Sequence, residues 1–167
     1  MNNISSIISA VVYFFLQVIF IRHWAMFDVA FCFIYVSVLL FLPIAMNPLL
    51  LMAVGFGYGL LIDLFYDTLG IHAAACVLLG YSRSFITNLL KPSGGYDATA
   101  IPFLNYMGAQ WFITYTFLLV SIHHIPLFFI EAWGVNMWFF TFLKTISSVL
   151  FTSSVIVLFQ YLFYRNA

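Results

Sequence analysis

The sequence predicts an all-α integral membrane protein, a single domain over residues 1–167 built as a bundle of six transmembrane helices. Three observations predict it. The chain is 65% hydrophobic and only 6% charged, where soluble domains carry about 25% charged residues. Its apolar residues fall in runs near the ~20 residues a spanning helix needs, divided by short polar turns. Inside two of those runs small residues recur every four positions, the spacing that lets helices pack closely in a membrane. The formal net charge is zero, which removes any electrostatic case for nucleic acid or for a strongly basic membrane-binding surface. Cys32 and Cys76 both lie in apolar runs and read as small core residues, not as a disulfide or a zinc site.

The first span covers residues 7–21, extended by Ile4. It lacks the basic start and small-residue cleavage site of a signal peptide, so it reads as an anchor. Arg22, His23 and Trp24 close it with an interfacial signature. Asp28 opens the second run, residues 29–42, which is short for a span and either starts back at Trp24 or continues through Pro43 to Met46. Asn47-Pro48 is a turn. The third span, residues 49–65, carries Gly55, Gly59 and Asp63 on one stripe. Asp67-Thr68-Leu69-Gly70 is a tight link in which Asp67 or Thr68 can cap the next helix, making spans three and four an antiparallel hairpin. The fourth span, residues 71–90, repeats the four-residue spacing at Cys76, Gly80 and Ser84, the natural seam for Gly55 and Gly59.

Residues 91–97 are the clearest loop, and the fifth span, residues 102–122, ends at His123-His124-Ile125-Pro126. Residues 127–133 are too short to span and read as a loop or short helix in the interface. The sixth span, residues 136–164, is long enough to cross with tilt. Six spans put both ends on one side. Lys91 in a loop and Arg165 after the last span favour both termini inside.

Acids inside a membrane face protein or water, because facing lipid costs several kcal/mol. Asp63 therefore either reaches interfacial water or pairs with a buried base. Lys144, about 12 Å in from the outer end of its helix at 1.5 Å per residue, is the better-placed partner. Arg83, about 18 Å in, is the poorer one and snorkels inward. An aspartyl-protease reading fails, because Gly55-Phe56-Gly57 is followed by Tyr58 and no second acid lies within another span. All four histidines, His23, His72, His123 and His124, fall at the outer face in this arrangement and read as residues in interfacial water. No His-x3-His pair supports a metal site, and no nucleophile with a visible base or phosphate-cradling loop supports catalysis. No cofactor is expected. Phe128, Phe129, Ile130, Trp133 and Trp138 lie at the outer water boundary, either as an aromatic belt or as a docking surface for a partner.

The stretch from Gly59 through Asp63, Leu69 and Gly70 to Tyr81 resembles the bacterial rod shape-determining protein MreD family, whose pattern is Gly-x-x-x-Asp, a short turn, Leu-Gly, a small-residue helix and a Tyr near its end. Asp28 is similar to the acid that opens that family's second helix. The chain departs from the family in carrying Tyr66-Asp67 where a Gly often sits, and in lacking a basic tail. The resemblance implies a non-enzymatic, multi-pass scaffold of the bacterial plasma membrane. It would act in cell elongation with the single-span protein MreC, a peptidoglycan glycosyltransferase and transpeptidase, and indirectly the actin-like MreB. The family is also similar in fold to the substrate-binding subunits of energy-coupling-factor transporters, which gives a second expectation, a small-ligand (vitamin)-binding transporter subunit.

Overall fold

The computed structural model describes residues 3–22, 25–26, 29–97, 99–133 and 137–164. His23, Trp24, Asp28 and Arg165, which the sequence reading used for the first two spans and for topology, lie outside the described residues. The described chain is mostly helical. Helix α1 (Asn3–Phe15) runs into a π-helical turn (Leu16–Ile21). Strands β1 (Ala25–Met26) and β2 (Ala30–Phe31) pair antiparallel, followed by a 3₁₀ turn (Ile34–Val36) and a short helix α2 (Ser37–Leu40). Then come α3 (Pro48–Tyr66), α4 (Ile71–Leu89), the short α5 (Leu104–Met107), α6 (Ala109–Glu131) and α7 (Trp138–Tyr164). Among the described residues three helices are long and apolar enough to cross a membrane: Pro48–Tyr66, Ala109–Glu131 and, within α7, Trp138–Phe163.

Two expectations about the elements are corrected. The second run is not a continuous helix, and the reason lies in where its backbone hydrogen bonds go. The N–H groups of Phe31, Phe33 and Tyr35 donate to Ser148 Oγ (2.9 Å), Thr152 Oγ1 (3.1 Å) and Gln17 Oε1 (3.4 Å). That period of two is a strand's, with side chains of α7 and the π turn standing in for a neighbouring strand. The second correction concerns residues 127–131, which are not an interfacial loop. They continue α6, and Pro126 lies within the helix near its C-terminal end, where its missing N–H affects only the last turns.

Packing follows chain order. α3 and α4 form a hairpin, α4 packs on α6, α6 on α7, and α7 returns to β2. Asn47 caps α3 by accepting the Leu49 N–H (2.8 Å), with Pro48 at the first helical position. At one end of the bundle, here the upper end, Arg22, Thr68, Ile71, Glu131 and Lys144 converge around a cavity of ≈300 Å³. At the lower end the Ile44 N–H donates to Ala100 C=O (2.9 Å), which ties the turn before α3 to the turn before α5.

Candidate functional site

Gly55, Gly59, Cys76 and Gly80 meet where α3 crosses α4. A Cβ on Gly59 would lie 2.5 Å from Ala73 Cα, and one on Gly55 would lie 3.0 Å from Cys76 C=O. One on Gly80 would lie 3.3 Å from Met52 Cα. Ser84, a turn further along α4, is only half-buried, and its carbonyl accepts from Thr87 Oγ1 (3.0 Å).

The close approach at Gly59 brings the start of α4 under Asp63. Its carboxylate accepts from the backbone N–H of His72 (3.0 Å) and Ala73 (2.9 Å) and from Thr68 Oγ1 (2.5 Å). Asp63 thus caps α4 across the turn, with favourable charge at the helix N-terminus. Asp67 and Thr68 do not fill that role: Asp67 ends α3 in the left-handed conformation (φ 55°) and Thr68 donates to Asp63.

Neither reading of Asp63 describes it: it is buried, not in interfacial water, and Lys144 is not its partner. Lys144 Nζ lies 2.9 Å from Glu131 Oε2 and 4.7 Å from the ring centroids of both Phe31 and Phe128, on the rim of the upper cavity. α6 runs on through Glu131, so the acid nearest Lys144 belongs to α6 and not to α3. Arg83 does not snorkel. It is buried, and its guanidinium donates to Tyr115 Oη (2.8 Å) and to the carbonyls of Leu40, Leu42 and Pro43, closing the C-terminal end of α2.

His72, His123 and His124 are not in interfacial water either. They are buried at 2%, 0% and 0% exposure and form a continuous chain with Tyr35 and Thr152. Tyr35 Oη lies 2.8 Å from His72 Nδ1 and 2.8 Å from His123 Nε2. His123 Nδ1 lies 3.3 Å from His124 Nδ1, and His124 Nε2 lies 3.1 Å from Thr152 Oγ1. Thr152 Oγ1 also lies 3.3 Å from Phe31 C=O. Phe33 sits edge-on to His72 and His124 and fills the space among the rings. The adjacent histidines stay in one network because each uses Nδ1 toward the other, and Tyr35 and Thr152 collect the two Nε2 atoms. Cys76 Sγ lies 3.8 Å from His123 Nε2, wholly buried. Among the described residues no three His, Cys, Asp or Glu side chains are grouped to hold a metal ion.

The sequence reading missed Gln17, Tyr35 and Thr152. Gln17 is wholly buried, and its amide donates to Cys32 C=O (3.1 Å) and Tyr66 Oη (2.6 Å). Its signal was present: it is the single amide in the first apolar run, and the π turn there, a feature frequent at functional positions, turns it inward.

The expected docking residues divide. Phe128 is buried at 2% exposure and lines the upper cavity, so it cannot dock a partner. Phe129 is half-buried with its ring 6.1 Å from that of Trp138, while Ile130, Trp133 and Trp138 are exposed. Compared with protein-family profiles, curated proteins and solved structures, the chain matches none of them.

Proposed function

We propose that this protein is a non-enzymatic, multi-pass scaffold of the bacterial cell-elongation machinery, similar to MreD, and that it binds a single-span MreC-like partner in the plasma membrane with both termini cytoplasmic. Through that partner it would work with the peptidoglycan glycosyltransferase and transpeptidase and, indirectly, with MreB. The reading is carried by the α3–α4 hairpin, where three residues of the resemblance, Gly59, Asp63 and Gly70, have a structural task, while Leu69 and Tyr81 are exposed. Gly59 lets α4 approach to backbone contact, Asp63 caps α4, and Gly70 (φ 89°) turns the chain into it. The departure from the family's pattern at Asp67 sits in the left-handed conformation that glycine adopts most readily. The exposed Ile130, Trp133 and Trp138 give such a scaffold an aromatic surface of the kind that anchors interfaces.

Coexpression with an MreC-like single-span protein, followed by affinity capture from native membranes, tests the reading. Capture of the partner is expected. Replacing Phe129, Ile130 and Trp133 with Ser, with Phe128 left in place, should abolish capture while leaving the protein folded and membrane-inserted. Retained capture at normal expression removes this surface from the proposal, and no capture by the wild-type chain refutes the scaffold. A second reading, a small-ligand-binding transporter subunit, is favoured by the upper cavity, whose wall includes Arg22, Tyr66, Glu131 and Lys144 over an aromatic floor. Bound ligand carried through purification and detected by mass spectrometry would favour it.

A further inference from the structure

The buried histidine chain does nothing that a scaffold needs. Replacing it by apolar side chains of similar volume would fill the same core without the cost of burying polar groups. Its hydrogen bonds form a continuous chain when the rings are neutral, with the proton on Nδ1 of His72 and His123 and on Nε2 of His124. His72 Nδ1–H donates to Tyr35 Oη, Tyr35 O–H to His123 Nε2, and His123 Nδ1–H to His124 Nδ1. His124 Nε2–H then donates to Thr152 Oγ1, whose hydroxyl donates to Phe31 C=O. In this direction each ring is neutral, and His72 Nε2 takes no part in the chain. His72 is also the only member of the five that lines the upper cavity.

A second observation concerns charge. Asp63 is buried, and neither ion pair among the described residues includes it: Arg22 faces Asp67, and Lys144 faces Glu131. Its carboxylate is held by three neutral donors beside His72. A buried carboxylate with no cation is costly in a membrane, and a cation close by offsets that cost. The groups facing the chain are Tyr58, Asp63 and Tyr66 from α3, Cys76 from α4 and Cys32 beside Thr152, with Glu131, Lys144 and Arg22 around the cavity. Lys144 faces Glu131 and Arg22 faces Asp67, which leaves Asp63, held by neutral donors at the N-terminus of α4 beside His72, as a buried carboxylate with no ionic partner among the described residues.

We propose that His72, Tyr35, His123 and His124 form a proton-binding relay that takes one proton from the upper cavity at His72 and shares it with His124 as the counter-charge of Asp63. The transfer balances. A hydronium in the cavity gives a proton to His72 Nε2 and leaves water, so His72 becomes an imidazolium. The His72 Nδ1–H bond breaks as Tyr35 O–H forms, the old Tyr35 O–H breaks as His123 Nε2–H forms, and His123 Nδ1–H breaks as His124 Nδ1–H forms. Three hops move the positive charge from His72 to His124. Each hydrogen bond of the chain is kept with its direction reversed as far as His124, and His124 Nε2–H still donates to Thr152. The spacings for those hops are 2.8, 2.8 and 3.3 Å. The chain ends at Thr152 and Phe31, which belong to the same region as the cavity, so it stores a proton and does not conduct one across the bundle.

The test uses the full chain in lipid nanodiscs with ¹⁵N-labelled histidine, titrated from about pH 8 to about pH 4.5, a range spanning ordinary imidazole titration. Thermal unfolding reports at each point that the protein is folded. Single His→Gln variants assign the resonances. One proton per chain is expected: the bare-nitrogen signal of His72 Nε2 disappears, and that of His124 Nδ1 falls over the same pH range as a bare Nδ1 signal appears on His72, so that the three rings together lose one bare nitrogen. In Tyr35→Phe, which keeps the ring and removes the bridging hydroxyl, the change should be confined to His72. His123→Gln interrupts the same path and serves if Tyr35→Phe does not fold. In Asp63→Asn the uptake should move to lower pH by about one unit, a tenfold loss of proton affinity. Three imidazoles that stay neutral throughout in the folded protein overturn the proposal. So does a His124 that gains charge in Tyr35→Phe as readily as in the wild type.

Discussion

Gly59→Ala is the smallest change that should damage this fold. The new Cβ would lie 2.5 Å from Ala73 Cα, 2.8 Å from Ala73 N and 2.9 Å from His72 C=O. All three are backbone atoms, so no side chain can swing aside. Carbon contacts settle at roughly 3.5–4.0 Å, so α4 must retreat by about 1 Å at its first turn. Overpacking of this kind costs about 1–3 kcal/mol. The retreat also stretches the bonds from His72 and Ala73 N–H to Asp63, and losing one hydrogen bond to a charged group costs about 1.5–3 kcal/mol. Alanine returns about 1 kcal/mol of helix propensity. The net loss is about 1.5–5 kcal/mol. Gly57→Ala is the internal control, since nothing lies within 4 Å of its Cβ, and it should be neutral or stabilising by up to about 1 kcal/mol. Unfolding by graded SDS in mixed micelles, followed by circular dichroism, compares the two. If Gly59→Ala lies within about 1 kcal/mol of Gly57→Ala, the backbone contact does not hold the hairpin.

A double-mutant cycle on Asp63→Asn and Lys144→Gln should be additive, whereas one on Glu131→Gln and Lys144→Gln should show coupling of roughly 0.2–1 kcal/mol, the size expected of a partly exposed pair. Coupling in the first cycle with none in the second would reverse the assignment of Lys144. Arg83→Met should lower stability by about 2–5 kcal/mol in the same SDS assay, because the carbonyls of Leu42 and Pro43 lose their donor while Leu40 keeps Tyr115. A loss under about 1 kcal/mol would mean water replaces the guanidinium. A cysteine placed at Glu131 should react with an impermeant thiol reagent in intact cells and one at Ser93 should not; the opposite pattern inverts the proposed topology.

The hairpin was legible because its determinants are local. Gly55, Gly59 and Asp63 recur every four residues, Cys76 and Gly80 answer them on the next helix, and Gly70 marks the turn. The histidine site was not legible, for the same physical reason that the second run was misread. Its members come from four separate elements, Tyr35 from the 3₁₀ turn, His72 from α4, His123 and His124 from α6 and Thr152 from α7, and each looks ordinary in its own segment. His123-His124-Ile125-Pro126 looks like a helix end, because proline usually stops a helix. Here α6 runs through it to Glu131 and carries both imidazoles into the core. On α7, Thr141, Thr145, Ser148 and Thr152 recur every three or four residues on one buried face. That was the signal that this helix serves another element's polar groups.

The broken second segment accounts for Gln17, Arg83, Ser148 and Thr152 among the polar side chains inside the bundle. In hydrocarbon every backbone N–H and C=O must find a partner within the protein, and irregular backbone survives there only where protein covers it. A helix at residues 29–42 would have satisfied itself. An extended ribbon cannot, and the chain supplies substitutes one by one. Ser148, Thr152 and Gln17 take the alternate N–H groups, Gln17 and Thr152 reach the carbonyls of Cys32 and Phe31, and Arg83 with Tyr115 takes those at the end of α2. Tyr35 is thereby held with its hydroxyl between two imidazoles, a position a helical residue packed on α3 would not reach. The polar groups that hold the ribbon are therefore also what assembles the histidine chain. If Ser148 and Thr152 are both replaced, by Ala and Val, the ribbon loses two of its three donor-accepting side chains and His124 loses its terminal partner. The fold and the proposed proton uptake should then fail together, whereas Tyr35→Phe separates them.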